Sequence, residues 1–248
     1  MSYVAVSALS HPGLLRERNE DSLVVGPWTL CATVTESPQT LVFPLGTPLI
    51  VAVADGLGGH PGGEVASALA ARRIASMGPA LSSEDAVRDA LNSCNRAVYL
   101  AAGGAGSELA IMGTTVAGVV VQPGSLLAFN VGDSRVFEAS REGLRQVSVD
   151  DSPPLEPGER TTSVVTQCLG GTPDYRPIRP HVTAVSLSPG DRYLICTDGL
   201  TDPVTTDVLD AVMREHDDGR AAFELWKAAI TAGGPDNITL AVVRIGDE

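Results

Sequence analysis

Four aspartates fall where apolar runs stop: Asp55 in VAVADGLGG, Asp133 in FNVGDSRV, Asp198 in LICTDGLTD and Asp236 in GGPDNITL. In the first three, a β-favouring stretch ends in an acid beside glycine. The fourth reverses the order, with Asp236 and Asn237 opening a run. Carboxylates at the ends of neighbouring strands can converge at one edge of a sheet. They repel one another there unless a cation neutralises them, and an all-oxygen donor set suits a hard metal ion.

The segment Arg16-Glu17-Arg18-Asn19-Glu20-Asp21 sets a guanidinium and paired carboxylates in one short loop. Arginine can grip a phosphate dianion through two parallel hydrogen bonds; a solvated charged turn fits the same residues. Asp55-Gly56-Leu57-Gly58-Gly59-His60 follows an apolar run and precedes a helical pattern. An acid there can bridge two cations, and Gly56 leaves its carbonyl free as a further ligand. A nucleotide-phosphate loop is the rival reading, but no Gly-Lys-Ser/Thr follows and the leading acid would repel phosphate without a metal. A plain glycine turn fits too. Asp198 and Asp236 can each add one oxygen, although Asp-Gly and Asp-Asn also favour turns. The recurrence of all of them in order carries the argument.

His60 could move a proton near neutral pH or simply occupy a surface loop beside Pro61. His11, His181 and His216 show no ligand spacing. There is no Gly-x-Ser-x-Gly elbow and no Cys/His pair marked by a local motif, so a covalent serine or cysteine mechanism has no support.

These groups must be positioned by a chain of 248 residues, expected to form a single domain over 1–248. At 44% hydrophobic and 4% aromatic, its core is expected to be built from Ala, Val, Leu and Ile. Against 17 Lys and Arg stand 30 Asp and Glu, a net charge of −13. That balance argues against a nucleic-acid backbone or an anionic membrane as partner. Lys227 is the only lysine, which excludes a mechanism needing several. Cys31, Cys94, Cys168 and Cys196 show no Cys-x-x-Cys spacing, so buried free thiols in a reducing compartment are expected rather than zinc or a redox pair. The stretch MSYVAVSALSHP lacks the basic and apolar regions of a signal peptide, and no apolar run is long enough for a bilayer. A cytoplasmic protein is expected, and no homodimer signal is evident, so a monomer.

Strands are expected over Tyr3–Leu9, Leu23–Val25, Leu30–Val34 and Leu49–Ala54, with Ser37–Pro48 a loop on account of its three prolines. Helices follow over Glu64–Met77 and from about Ser82, where Asp85 would complete a capping box. On the second helix Val87, Ala90, Leu91, Cys94 and Val98 form one apolar stripe. Strands are expected over Thr114–Val121, Leu126–Val131, Arg135–Ala139, Leu144–Val149, Val182–Leu187, Tyr193–Cys196 and Ile238–Ile245. Two more helices lie near Thr206–Glu215 and Gly219–Thr231, and Asp150–Thr162 reads as a loop. The order favours a sandwich of two mainly antiparallel sheets flanked by helix pairs over a doubly wound parallel sheet.

With these pieces in place the chain resembles metal-dependent Ser/Thr protein phosphatases of the 2C type, bacterial branch. The matching segments run in family order from Gly13 through Asp21, Val53 through His60, Gly63 through Ser67, Gly113 through Thr115 and Asn130 through Arg135. They continue with Thr166 through Gly170, Thr197 through Leu200 and Gly234 through Thr239. The resemblance implies a four-layer α-β-β-α sandwich with two Mn²⁺ or Mg²⁺ ions in the cleft between the sheets. Asp55 would bridge both ions and Gly56 contribute its carbonyl. Asp198 and Asp236 would complete one ion, and Glu20 or Asp21 would serve the other, directly or through water. Arg16 would hold the substrate phosphate, and Asp133 with Asp198 would form a third-metal site. It implies hydrolysis of phosphoserine and phosphothreonine in proteins by direct attack of a metal-activated water, opposing a Ser/Thr kinase.

The chain departs from the pattern in two places. Leu57 stands where the animal branch has a histidine proposed as general acid, and His60 does not inherit that role by position. Between Val149 and Thr166 many bacterial relatives carry a longer, partly helical flap; here the segment is short and holds Pro153, Pro154 and Pro157. The chain also inserts Glu36–Pro48 ahead of the Asp55 strand.

Overall fold

A computed structural model of the chain describes residues 2–57, 62–104, 106–154, 161–162 and 164–247. Strands β1 (Tyr3–His11), β2 (Ser22–Val25), β3 (Trp28–Cys31), β4 (Gln39–Pro44) and β5 (Leu49–Ala54) precede helices α1 (Gly63–Met77) and α2 (Glu84–Ala101). Then come β6 (Gly113–Thr114), β7 (Val116–Gln122), β8 (Ser125–Val131), β9 (Arg135–Ser140), β10 (Gly143–Gln146), β11 (Leu169–Gly170), β12 (His181–Ser186) and β13 (Arg192–Cys196). Helices α3 (Asp198–Thr201), α4 (Thr206–Glu215) and α5 (Asp218–Thr231) lead to β14 (Ile238–Gly246).

Two six-stranded antiparallel sheets stack face to face. One runs β10-β9-β13-β14-β1-β4, the other β12-β8-β7-β5-β2-β3. Side-chain parity along each central strand divides the core. On β5, Leu49, Val51 and Val53 enter the space between the sheets, while Ile50 and Ala52 pack under α1 and α2. On β14, Ala241, Val243 and Ile245 face the other sheet, while Ile238, Leu240 and Val242 pack against α4 and α5. Both faces of these strands are covered, which is why they read as unbroken apolar runs. The expected four-layer α-β-β-α sandwich is the architecture observed. The Val87, Ala90, Leu91, Cys94 and Val98 stripe of α2 is buried as expected.

Several local expectations are corrected. Ser37–Pro48 is not simply a loop: Gln39–Pro44 forms β4, paired antiparallel to β1 from Tyr3↔Pro44 to Ala8↔Gln39. Pro38 and Pro48 lie outside the strand and Pro44 is its last residue, on a sheet edge where proline's missing N–H removes little pairing. The piece expected over Leu30–Val34 runs instead over Trp28–Cys31. The α2 cap moves by one residue. Ser82 N–H is taken by Ala80 in the single 3₁₀ turn Gly78–Ala80, and Ser83 accepts the Ala86 N–H at 3.2 Å. The strand expected over Thr114–Val121 breaks at Thr115. Of the four thiols, Cys94 and Cys196 are buried but Cys31 and Cys168 only half-buried. Among the described residues no helix is long and apolar enough to cross a membrane.

Depth within these layers sets the energetic scale. Ile195→Ala, emptying a wholly buried site between the sheets, should lose about 2–5 kcal/mol of stability. Val42→Lys, on edge strand β4 and 63% exposed, should stay within about 0.5 kcal/mol. Urea unfolding of the two variants checks both values.

Candidate active site

Antiparallel register carries the predicted residues to one edge. His11 pairs with Ile238, Cys196 with Leu240 and Ser22 with Ala54, while Val53 pairs with Ala117 and Val116 with Val131. The C-terminal ends of β1, β5, β8 and β13 and the starts of β2 and β14 therefore open on one cavity of about 860 Å³. Seven of the eight residues singled out line it: Arg16, Glu20, Asp55, Gly56, Asp133, Asp198 and Asp236. Asp21, 1% exposed, sits behind that lining. His60 lies outside the described residues, as do 155–160 and Ser163 of the proline-rich segment. Leu57 lines the cavity, and its N–H is bonded to Gly113 O at 3.0 Å.

The backbone beneath these acids is tightly held. The Asp55 carbonyl accepts from Thr114 Oγ1 at 2.8 Å and Thr115 N–H at 2.9 Å, so the break in the strand at Thr115 is what anchors Asp55. Asn237 clasps the Arg16 loop: its Nδ2 donates to Pro12 O at 3.0 Å and Arg18 O at 2.8 Å, and its Oδ1 accepts Glu20 N–H at 2.8 Å. Two glycines permit closer approach than any side chain would. A Cβ on Gly56 would stand 2.5 Å from Gly63 backbone and 2.7 Å from the Glu20 carbonyl; one on Gly199 would stand 1.9 Å from the Asn237 carbonyl.

The acids shape each other's charge. Burial, then the charges of Asp198 and Asp21, pushes Asp55 well above the usual carboxylate range. Burial raises Asp198 as well, and the neighbouring Asp55 carboxyl partly offsets that rise. Burial drives Asp21 up to about 7, against the hydrogen bonds it accepts, among them one from Thr197 Oγ1 at 3.0 Å. Burial and the nearby Asp198 charge push Asp133 to about 7 as well. Glu20 is raised, chiefly by burial and then by Glu64. Asp236 takes its own Asn237 N–H on Oδ1 and Arg16 Nη2 on Oδ2, at 2.8 and 2.7 Å. That bond is the main reason the Arg16 guanidinium is held still more firmly protonated.

Three buried carboxylate oxygens, Glu20 Oε2, Asp21 Oδ1 and Asp198 Oδ1, have no hydrogen-bond donor among the described residues. Such oxygens are costly unless a donor or a cation meets them, so the residues present fit divalent metal. The side chains alone do not close on an ion: among the described residues, no three His, Cys, Asp or Glu side chains gather into a group that could hold one. Cys168 also lines the cavity. Burial and the charges of Asp133 and Asp151 push its thiol up to about 11, which leaves it a poor nucleophile at neutral pH.

Residue-by-residue reading passed over Asp202, Asn237, Thr115 and Thr197. Asp202 is raised to about 7 by burial and by Asp198. Its four-residue spacing from Asp198 puts the two on one helical face, a relation that shows only once α3 is known to begin at Asp198. The Asn237 clasp and the threonine supports depend on partners up to 219 residues away and had no local signal.

Two expectations follow. Asp21 and Asp133, with ordinary pKa 3.8 and folded values about 7, contribute stability that is full below about pH 4 and lost as pH rises through about 7. In EDTA the melting temperature should therefore fall across that window, and Mn²⁺ should restore most of it at the upper end. A flat thermal-melt profile would count against buried, mutually repelling acids. Gly199→Ala forces the β13 and β14 ends apart and should cost at least about 1–3 kcal/mol, measured by urea unfolding.

Comparison with known proteins supplies relatives for this cleft. The family described as protein phosphatase 2C matches residues 42–227. The serine/threonine protein phosphatase PstP of Mycobacterium tuberculosis is 29% identical over 259 residues, covering 97% of this chain and 45% of that protein. The chain thus spans less than half the length of PstP. The serine/threonine phosphatase stp of Listeria monocytogenes is 29% identical over 79% of this chain and 84% of its own. Among solved structures, the catalytic domain of PstP in complex with two manganese ions superposes over the full length of both chains, with a TM-score of 0.79 at 27% identity. PppA, described as a key regulatory component of T6SS in Pseudomonas aeruginosa, gives 0.79 at 28%, over 99% of this chain and 100% of its own. A family match across more than half of the residues, on a fold shared from end to end, gives the conclusion that this chain belongs to the protein phosphatase 2C family.

Proposed function

We propose that the chain is a metal-dependent phosphatase acting on phosphoserine and phosphothreonine in proteins, with residues 1–248 forming one phosphatase domain. The observation that carries this reading is the gathering of Arg16, Glu20, Asp55, Asp133, Asp198 and Asp236 around one cavity. The donorless oxygens of Glu20, Asp21 and Asp198 support metal at that place. Asp55 would bridge two ions. Gly56 would contribute its carbonyl; Asp198 and Asp236 would complete one ion, and Glu20 or Asp21, directly or through water, would serve the other. Asp133 with Asp198 would hold a third, with Asp202 beside them. An all-oxygen set suits manganese or magnesium, and the manganese pair of the PstP catalytic domain favours the former. Bound there, such ions lower the pKa of water and offset charge on the phosphoryl oxygens.

The chain's own residues bind and orient. Arg16 spends one N–H on Asp236; a guanidinium has five donors in a planar fork, so others remain to take two phosphoryl oxygens. Asp236 fixes the direction of that fork, and Asn237 holds the loop that carries it. Asp21 is anchored by Thr197 on β13's extension, tying the loop to the opposite end of the acid cluster. The protonated Cys168 thiol offers no covalent route, which favours direct hydrolysis without a phosphoenzyme. The names of the relatives support serine and threonine as the phosphorylated residues. Opposition to a Ser/Thr kinase, a cytoplasmic setting and a monomeric state complete the proposal.

The wild-type chain with Mn²⁺ should hydrolyse p-nitrophenyl phosphate and phosphoserine peptides, and EDTA should abolish this. Asp55→Asn should lower turnover at least about a hundredfold and weaken Mn²⁺ binding by calorimetry; wild-type values for both would remove its bridging role. Arg16→Ala should raise KM about tenfold with a smaller change in kcat. Steady-state kinetics decide this, and unchanged constants would reject the phosphate contact.

A further inference from the structure

A third arginine faces the cavity from a separate part of the fold. Arg176 lies on the segment joining β11 to β12 and lines the same cavity as Arg16 and Asp55. Its backbone is pinned from α2. Asn95, 2% exposed, accepts the Gly170 N–H on Oδ1 at 2.9 Å and donates Nδ2 to the Arg176 carbonyl at 2.8 Å. The neighbouring Tyr175 ring packs edge-on against Tyr99 at 5.4 Å, with the Arg96 guanidinium 5.1 Å above it. Ile178, buried, closes the far end. The stem of Arg176 thus starts from a fixed point.

The cavity's arginines differ in their engagement. Arg16 is bonded to Asp236 at 2.7 Å and Arg18 stands 3.9 Å from Glu64. Arg176 has no carboxylate partner among the described residues; its carbonyl accepts from Asn95. An exposed guanidinium on a fixed backbone, with no partner among the described residues, suits a carboxylate or phosphate through paired hydrogen bonds. A cavity of about 860 Å³ lies near the top of the usual range for ligand pockets, with room for residues beside the phosphorylated one. The acids lining it would repel an acidic peptide, and a cation held apart from Arg16 would offset that repulsion.

Building on the phosphatase reading, we propose that Arg176 is a specificity residue, binding an anionic group on the substrate peptide next to the phosphorylated residue. The preferred substrates are then phosphoproteins whose site is flanked by Glu or Asp, or by a second phosphorylated residue.

Phosphoserine peptides carrying a single Glu, a single second phosphoserine, or Ala at each flanking position test this with the Mn²⁺-loaded full chain. The wild type should favour an anionic flank at one position by about three- to tenfold in kcat/KM, expressed in KM and weakened by salt. In Arg176→Ala that ratio should fall to near one, and Arg176→Lys should retain part of it. A larger gain from phosphoserine than from Glu assigns doubly phosphorylated segments; an equal gain assigns acidic ones. A wild type indifferent to flanking charge, or a preference that survives Arg176→Ala, overturns this inference alone. A wild type inert towards p-nitrophenyl phosphate with Mn²⁺ overturns the phosphatase reading and this inference with it.

Discussion

Carboxylates crowded together out of water need positive charge, and the organisation of this cleft follows from that constraint. Burial heads the causes that raise Glu20, Asp21, Asp55, Asp133, Asp198 and Asp202, with a neighbouring acid contributing in each case. The protein's answers are partial. Arg16 takes Asp236, and Thr197 donates to Asp21. Among the described residues, three carboxylate oxygens remain without a donor. A domain stable by only about 5–15 kcal/mol does not carry such a cluster without compensation, and divalent cations are the compensation that an all-oxygen lining accepts best.

The rest of the architecture makes the crowding possible. Three apolar layers, one between the sheets and one under each helix pair, hold the central strands on both faces. Because pairing is antiparallel, alternate ends arrive at the same edge, and the loop from β1 to β2 crosses from one sheet to the other above it. Glycine at 56 and 199 then lets backbones touch where a methyl group would hold them apart. The stiffness of the core is thereby transmitted to groups that repel one another. Selectivity is more naturally located on the connections around the rim, such as the β11–β12 segment, where side chains change without disturbing the layers.

Much of this was legible in the chain. Unbroken apolar runs such as LIVAVA announced strands covered on both faces, and the 3.6-residue stripe on α2 announced a packed helix. Where reading failed, a competing local effect had won. Prolines at 38, 44 and 48 suggested a loop, yet pairing with β1 recruited the β-favouring residues between them. The Ser82 cap gave way to Ser83 because the preceding turn used the Ser82 N–H. Asp202 was visible only once Asp198 was seen to begin a helix.

The sequence by itself determined the chemical inventory: acids at strand ends, one arginine-bearing loop, glycines at close contacts, and no paired covalent nucleophile. Those are properties of residue type and short spacing, which the linear chain carries directly. Tertiary structure alone decided that Asp21 lies behind the lining, that Asp236 pairs with Arg16, and that Asn237 clasps a loop more than two hundred residues away. It also decided that Arg176 reaches the same cavity. Each of these depends on which strands become neighbours and in what register, and that is settled by burial across the whole chain rather than by any local stretch of it.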